Sequence, residues 1–444
     1  MNATFIKGEL SQLLAARYGE EFAAAGTERG VTERVNRYAA ILRGILRDAD
    51  IYTHPGGYYA VFNGAAYELW TERQLTGALQ NWLEDEGVGF TEASRVATSQ
   101  RLTTLQEKRF TPDRNKLCFS NCVYDLETGR TEGFSPSVMS IRSVPYEYRE
   151  SAKCPLWERF LARVLPDAEE RACLQELMGL PFVDRKRLSV EKMALFVGNG
   201  ANGKSVVMSV WKALLGEGNV STLTPRDLAN NKMTYVLSGK MLNFSPDVEV
   251  SGNTFSSELK AIASGQTVTG WVLFEGAIEV EAPPLVFAMN RNPVIKDDSD
   301  GMWRRLLIFP FDVTIPASEQ DRTLADKIIS TELPGVIRWC LEGRRRLVWN
   351  RGNFSRCTVM DNALRKMRGE VLESEYPVKA YLQRRGLSVT PAFEGQAPRR
   401  IWAKDLQAGL STLSKSAIAR ELSLWGIKSK KSGETYYEVF DINP

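Results

Sequence analysis

The chain has 444 residues, with 57 Lys and Arg against 54 Asp and Glu, 43% apolar and 25% charged residues. That length exceeds one typical hydrophobic core and calls for roughly two to four folding units, while the composition excludes fibrous, collagenous and disordered classes. A formal charge of +3 neither demands nor excludes a polyanionic partner, so local clustering has to carry that argument.

In chain order, ELSQLLAARYGEEFAAA and VNRYAAILRGILRDAD place apolar residues at helical spacing, and GGYYAVFNGAAYELW, residues 56 to 70, reads as a hairpin around Asn63-Gly64. A helix from Thr71 to Glu86 follows, so residues 1–110 are expected to form a mainly helical accessory domain. Asp48 and Asp50 are the paired acids that a two-metal primase would want. They end a helical pattern and have no zinc ribbon or further acidic cluster beside them, so an accessory role in partner binding or ring assembly is expected instead.

Residues 115 to 150 are rich in turn formers and short strands, and WERFLARVL and EERACLQELMGL are amphipathic helices. Together, 111–185 reads as a linker and helical collar. The cysteines Cys118, Cys122, Cys154, Cys173, Cys340 and Cys357 are thinly spread, which fits reduced thiols. The Cys118–Cys122 pair has no second pair nearby, and His54, the sole histidine, is remote in sequence, so no zinc site is expected. MNATFIKGEL lacks the pattern of a signal peptide and no window is long and apolar enough for a membrane span; a soluble intracellular protein is expected.

From 186 to 350 strands and helices alternate, the pattern of a three-layer α/β nucleotide-binding core. MALFV, 193–197, is an apolar strand and SVVMSVWKALLG, 205–216, an amphipathic helix. Between them Gly198, Asn199, Gly200, Ala201, Asn202, Gly203, Lys204 and Ser205 fit G-x-x-x-x-G-K-[ST] at every fixed position, and Val206 follows in the first helical turn. Glycines let successive N–H groups turn toward phosphate oxygens, the helix N-terminus adds its dipole, Lys204 reaches the β- and γ-phosphates, and the Ser205 hydroxyl binds Mg²⁺. ATP and Mg²⁺ are therefore the expected cofactors.

A hydrolase of this kind also needs acids, a group to hold water, and an arginine. GKMLNFSPDVEV ends an apolar strand, Met241 to Phe244, in Asp247 and Glu249. PPLVFAMNRNP delivers Asn290 at a strand's carboxyl end, and GMWRRLLIFPF puts Arg304 and Arg305 just before another strand.

The ordered set GNGANGKS, LNFSPDVE, SGQTVTG, LVFAMNRNPVI and DGMWRRLLIFPF resembles the superfamily III helicase core of phage, plasmid and poxvirus primase-helicases. Upstream, NCVYDLETG and KCPLWERFLARVLPDAEERACLQELMGL resemble the segment preceding that core, so the likeness covers about 115 to 312. The resemblance implies an AAA+-type P-loop NTPase, ring hexamers with ATP between subunits, and 3′ to 5′ movement on single-stranded DNA. It makes Lys204, Ser205, Asp247, Glu249 and Asn290 the hydrolytic set, with Ser205 and Asp247 on the metal and Arg304, in preference to Arg305, as the finger supplied to a neighbour.

In many relatives the loop corresponding to VTGWVLFEG grips single-stranded DNA with basic residues. Here Trp271 and Phe274 stand in it, either to stack on bases or to pack in a core or between subunits, with Lys260 and Lys296 the nearest basic alternatives.

From 396 to 431 there are eight basic residues against two acidic ones. Two helices, WAKDLQAGL and KSAIARELSLWG, and a hairpin around Ser432-Gly433 suggest a winged-helix-like domain over 370–444. Lys415, Arg420, Lys428, Lys430 and Lys431 are its candidate contacts to origin duplex DNA, the alternative being a solvated face on a packing module. The expectation is an ATP-dependent DNA helicase acting in a bacterial host's cytoplasm on a mobile element, with a primase or initiator as possible partner; an ATP-switched assembly factor that does not unwind is the alternative.

Overall fold

The computed structural model describes residues 2–54, 57–99, 108–230, 232–248, 257–272, 276–293, 295, 300–391, 396–432 and 434–442. At the amino end, α1 (Asn2–Leu13) runs through a short π-helical turn (Leu14–Tyr18) into α2 (Gly19–Gly26), and Leu42, Ile45 and Leu46 of α3 (Val31–Asp48) share one buried cluster with Ile6, Leu10 and Trp82. β1 (Ile51–His54), β2 (Tyr58–Phe62) and β3 (Tyr67–Trp70) form an antiparallel meander. The β2–β3 turn holds Gly64 at φ 96°, and Asn63 Oδ1 accepts from the Ala65 and Ala66 amides at 3.0 and 2.9 Å.

β1 is the element that the hairpin reading lacked. Its four residues follow α3 directly and owe their extended state to pairing with β2, Ile51 opposite Val61. α4 (Glu72–Asp85) starts on a capping box between Thr71 and Gln74, and α5 (Phe90–Ser99) completes the layer.

β4 (Lys116–Cys118), β5 (Val123–Asp125) and β6 (Thr131–Glu132) form a small antiparallel sheet. α6 (Pro155–Val164), α7 (Ala168–Gly179) and the single turn α8 (Arg185–Leu188) lead to the central sheet. Trp157, Leu174 and Leu177 belong to one buried cluster with Phe196, Trp211 and Val286, so these helices share their core with the sheet they precede. All six cysteines are free thiols. Among the described residues no helix is long and apolar enough to cross a membrane.

β7 (Met193–Val197), α9 (Lys204–Leu215), β8 (Val220–Ser221), α10 (Pro225–Leu228), β9 (Leu242–Ser245) and α11 (Ser257–Ala263) come next. They are followed by β10 (Thr267–Val272), β11 (Gly276–Glu281), β12 (Leu285–Met289), α12 (Asp300–Trp303) and β13 (Leu306–Pro310). The sheet order is β13-β7-β12-β9-β8 and every pairing is parallel. MALFV and LVFAM can therefore be continuously apolar: both faces of the sheet are covered. β10 and β11 form a separate antiparallel hairpin.

The 26-residue α13 (Leu324–Trp349) lies along α7. Backbones touch there because Gly343 has no side chain: a Cβ would stand 2.1 Å from the Gln175 carbonyl oxygen. Glu332 on α13 caps α6 from a distance, accepting from the Leu156 and Trp157 amides at 3.0 Å each.

On α7, Glu170 is 2% exposed and its Oε1 has no hydrogen-bond partner among the described residues. Burial, reinforced by the charges of Asp167 and Asp312, pushes this carboxyl up to about 8. With its folded value above the unfolded one, its contribution to stability is full below about pH 4.5 and fades as pH rises through about 8. Glu170→Gln is expected to remove this dependence, raising stability near pH 9 by on the order of 2 kcal/mol and changing little at pH 4.5, read from thermal melts across that range.

At the carboxyl end, α14 (Thr358–Glu375) and α15 (Pro377–Arg384) precede β14 (Leu387–Ser388), β15 (Arg399–Trp402), α16 (Ala403–Gly409), α17 (Lys415–Leu424), β16 (Lys430–Ser432) and β17 (Glu434–Asp441). Ser414 caps α17 by accepting from the Ala417 amide at 3.1 Å. Trp402 closes strand β15 and serves as the N-cap of α16: it pairs with Tyr436 of β17 and meets that ring edge-on at 5.6 Å. β17 takes β14 and β15 on its two sides and also pairs with β16; Gly433, between β16 and β17, lies outside the described residues.

Candidate nucleotide site

β7 brings the chain out at the carboxyl edge of the sheet, and both neighbouring strands hold the loop that follows. The Gly198 amide donates to the Met289 carbonyl at 3.2 Å, and the Phe311 amide donates to the Val197 carbonyl at 2.7 Å. Asn202 Nδ2 donates to the Phe311 carbonyl at 3.1 Å and the Ile315 amide to that of Ala201 at 2.8 Å. Ala201 is held at φ 48°, a conformation unfavourable for a residue with a Cβ. Gly203 has φ 87°, and a Cβ there would come within 2.8 Å of Val164 and 2.9 Å of Phe160. Both conformation and space demand glycine at that point.

α9 begins at Lys204 with no side-chain cap, so its first-turn N–H groups open onto the cleft as an anion site. Lys204 is buried, with Nζ bonded to the Gly198 carbonyl and to Asn202 Oδ1 at 3.2 Å. Burial lowers its pKa, and the nearby Asp247 carboxylate opposes that. Ser205 is exposed on the next position.

Asp247 follows β9 at φ 51° and accepts a hydrogen bond from Asn290 Nδ2 at 3.0 Å. Asn290 ends β12, the strand between β7 and β9, so three neighbouring parallel strands deliver Lys204, Ser205, Asp247 and Asn290 to one cleft. Gly200 to Val206 line it, while Gly198 is buried beneath the loop and Asn199 is exposed outside the lining. Glu249 lies outside the described residues.

The cleft encloses about 710 Å³, within the range of small-molecule sites. Its far wall is α6 and the segment before α13: Leu156, Arg159, Phe160, Arg163, Ile315, Arg322 and Leu324. None of these stood out in the sequence. The signal available in WERFLARVL was an arginine pair at i and i+4, and an amphipathic helix accounts for it without a ligand. A wall of apolar and arginine side chains opposite a lysine, a hydroxyl and a carboxylate suits a nucleoside triphosphate with its divalent metal, since each donor type has a chemical match.

Arg304 and Arg305 stand at the opposite end of the sheet. The Met193 amide, at the start of β7, donates to the Arg305 carbonyl at 2.8 Å, one strand length, about 16 Å, from the loop. Both guanidinium groups meet Glu191, at 3.1 and 2.9 Å. Arg305 is further tied to Ser264 Oγ at 2.9 Å and its side chain is 12% exposed, against 64% for Arg304.

Trp271 is 50% exposed near the end of β10, so it is not a core residue of this chain. Phe274 and Lys296 lie outside the described residues. Lys415, Arg420, Lys428, Lys430 and Lys431 are all exposed on α17, β16 and the connection between them, and Lys430 is ion-paired with Glu438 at 2.6 Å.

Residues 41–166 match the family model described as D5 N terminal like, and residues 196–305 match a family of unknown function. A helicase-named protein of Acanthamoeba polyphaga mimivirus is 27% identical over 205 residues, covering 44% of this chain and 21% of that protein. Another, of Invertebrate iridescent virus 3, is 26% identical over 228 residues, covering 47% and 24%. The chain thus spans less than a quarter of the length of these relatives. The apo structure of the NrS-1 C terminal region has a similar fold, with TM-score 0.54 at 11% identity over 90% of this chain and 99% of that one. The fold is a mixed α/β architecture with a parallel sheet and a helical amino-terminal region. Together these likenesses support the superfamily III helicase-primase family of phages and viruses.

Proposed function

We propose that the chain is the ATP-hydrolysing motor of a ring helicase with an AAA+-type core, moving 3′ to 5′ along single-stranded DNA in the replication of a phage, plasmid or integrated element. The observation that supports it is the convergence of Lys204, Ser205, Asp247 and Asn290 on one cleft from adjacent parallel strands. In this reading Lys204 leaves its loop contacts to neutralise the β- and γ-phosphates, and the amides of 201–206 wrap them. Ser205 and Asp247 would hold Mg²⁺, which supplies charge neutralisation on the phosphate oxygens. Asn290, whose amide group is held by Asp247, presents its carbonyl oxygen to orient an attacking water, with Glu249 as the second acid.

Arg304 cannot serve the nucleotide of its own chain across the sheet, so it would reach that of a neighbour in a hexameric ring. Rings mixed equally from Arg304→Ala and Lys204→Ala subunits are expected to recover about a quarter of wild-type ATPase, whereas each variant alone is inactive. Recovery no better than the separate variants would sink the shared site.

The exposed cations of α17 and β16 would face origin duplex DNA, and the β10–β11 hairpin with Trp271 would touch the strand. One observation favours a second reading: the described hairpin residues include Glu279 and Glu281 but no Lys or Arg. ATP hydrolysis by assembled rings without displacement of a forked duplex would establish that reading, an ATP-switched assembly factor, in place of the helicase.

A further inference from the structure

Beside the root of the carboxyl-terminal unit, the end of α12 and the helices α14 and α15 enclose a pocket of about 390 Å³. It is lined by Trp303, Arg365, Arg368, Tyr376, Lys379 and Gln383, together with Gly369 and Leu372, and no described carboxylate is among its lining residues. The arginines and Tyr376 share one face of α14 and its end, at i, i+3 and i+11. Trp303 is 3% exposed and its indole N–H is a buried donor without a hydrogen-bond partner among the described residues.

Three cations, two aromatic rings and a buried N–H therefore meet in one concavity whose charged and indole groups offer donors only. Arg368 stands 5.7 Å from the Trp303 ring centroid and reaches the exposed Asp300 at 2.7 Å on the rim. Lys379 lies over Trp425 at 5.0 Å, and Tyr376 meets the same ring edge-on at 5.3 Å. Among the described residues Arg365 hydrogen-bonds only within its own helix, to Asn362 Oδ1 at 2.7 Å and the Asp361 carbonyl at 3.4 Å.

We infer that this pocket binds a nucleotide unit of single-stranded DNA, the phosphate held by Arg365, Arg368 and Lys379 and the base set against the half-buried Tyr376 ring. A phosphate oxygen would also satisfy the Trp303 N–H. Cations that track a backbone beside rings that accept any base make a site without sequence preference. The source of the strand rests on the reading of the chain as a DNA motor; the pocket's chemistry does not. It is separate from the β10–β11 hairpin and from the basic surface of α17, and would give the strand a third point of attachment.

The test is fluorescence anisotropy of the full chain with a labelled oligothymidylate of about 20 nucleotides, titrated across salt concentrations. Arg365→Glu is expected to weaken binding roughly tenfold and to reduce the salt slope by about 0.7 for the lost phosphate contact, with DNA-independent ATPase unchanged. Trp303→Phe keeps the packing and removes the N–H, and is expected to weaken binding several-fold. Free dTMP and inorganic phosphate competing as well as the oligonucleotide would assign the pocket to a small phosphate ligand and overturn the strand.

Wild-type affinity and slope in both variants would overturn the site. So would an altered oligomeric state in Arg365→Glu without weakened binding, since the pocket would then be a subunit contact. Oligonucleotide binding and ATP hydrolysis in the wild type, both retained by the two variants, overturn the site and leave the motor standing; binding that the variants weaken, in a wild type that does not hydrolyse ATP, does the reverse.

Discussion

Lys204→Ala is expected to lower ATP hydrolysis by about 10²–10³-fold and to abolish strand displacement, while leaving the fold intact. The ammonium group sits at the mouth of an otherwise neutral loop, where it is the one described side-chain cation among residues 198–206. Negative charge on the transferring phosphoryl group would lose its counter-charge in a site of low polarisability, where such pairs are strongest. Because burial already lowers the Lys204 pKa, removing the side chain also relieves a desolvation cost. The melting temperature is therefore expected to stay level or rise slightly, which separates the catalytic effect from unfolding. A variant that retains wild-type ATPase would remove the cleft from the mechanism.

Glu332→Ala is expected to cost about 2–4 kcal/mol of stability, measured by denaturant unfolding. α6 starts at Pro155 and its N-cap, Cys154, offers no side-chain acceptor. The next two amides, Leu156 and Trp157, both depend on the Glu332 carboxylate, which is 7% exposed. Its removal strands two donors, one of them on a fully buried tryptophan, and replacement by water would require opening the core. α6 also carries Arg159, Phe160 and Arg163 on the cleft wall, so KM for ATP is expected to rise along with the loss of stability. Glu332→Gln retains one acceptor and is expected to cost about half as much.

The same device recurs where α15 begins at Pro377. Its N-cap Tyr376 has no acceptor, and buried Glu421 on α17 accepts from the Val378 and Lys379 amides at 3.1 and 2.9 Å. In both cases the proline marks a helix start in the sequence, but the residue that satisfies the exposed amides is far away in the chain.

Some elements were readable because their cause is local. MALFV is the strand Met193–Val197, and the helix after the loop ends at Gly216, whose φ of 85° suits its role as C-cap. The Asn63-Gly64 turn and the Ser414 cap likewise carry their own hydrogen bonds. Elements without a local cause were missed: β1 and β15 are four residues each and are strands only because β2 and β17 lie alongside them.

The sequence by itself determined the glycine-rich loop, the order of strands and helices around it, and which residue types stood ready for phosphate, metal and water. Those follow from backbone preferences and spacing along a few residues. Only the tertiary structure decided that Asp247 and Asn290 touch, that α6 walls the cleft, and that Arg304 and Arg305 stand a strand's length from the loop, one exposed and one tied down. These are consequences of parallel pairing, which brings the carboxyl ends of β7, β12 and β9 to one edge and sends their amino ends to the other, whatever their distance in the chain.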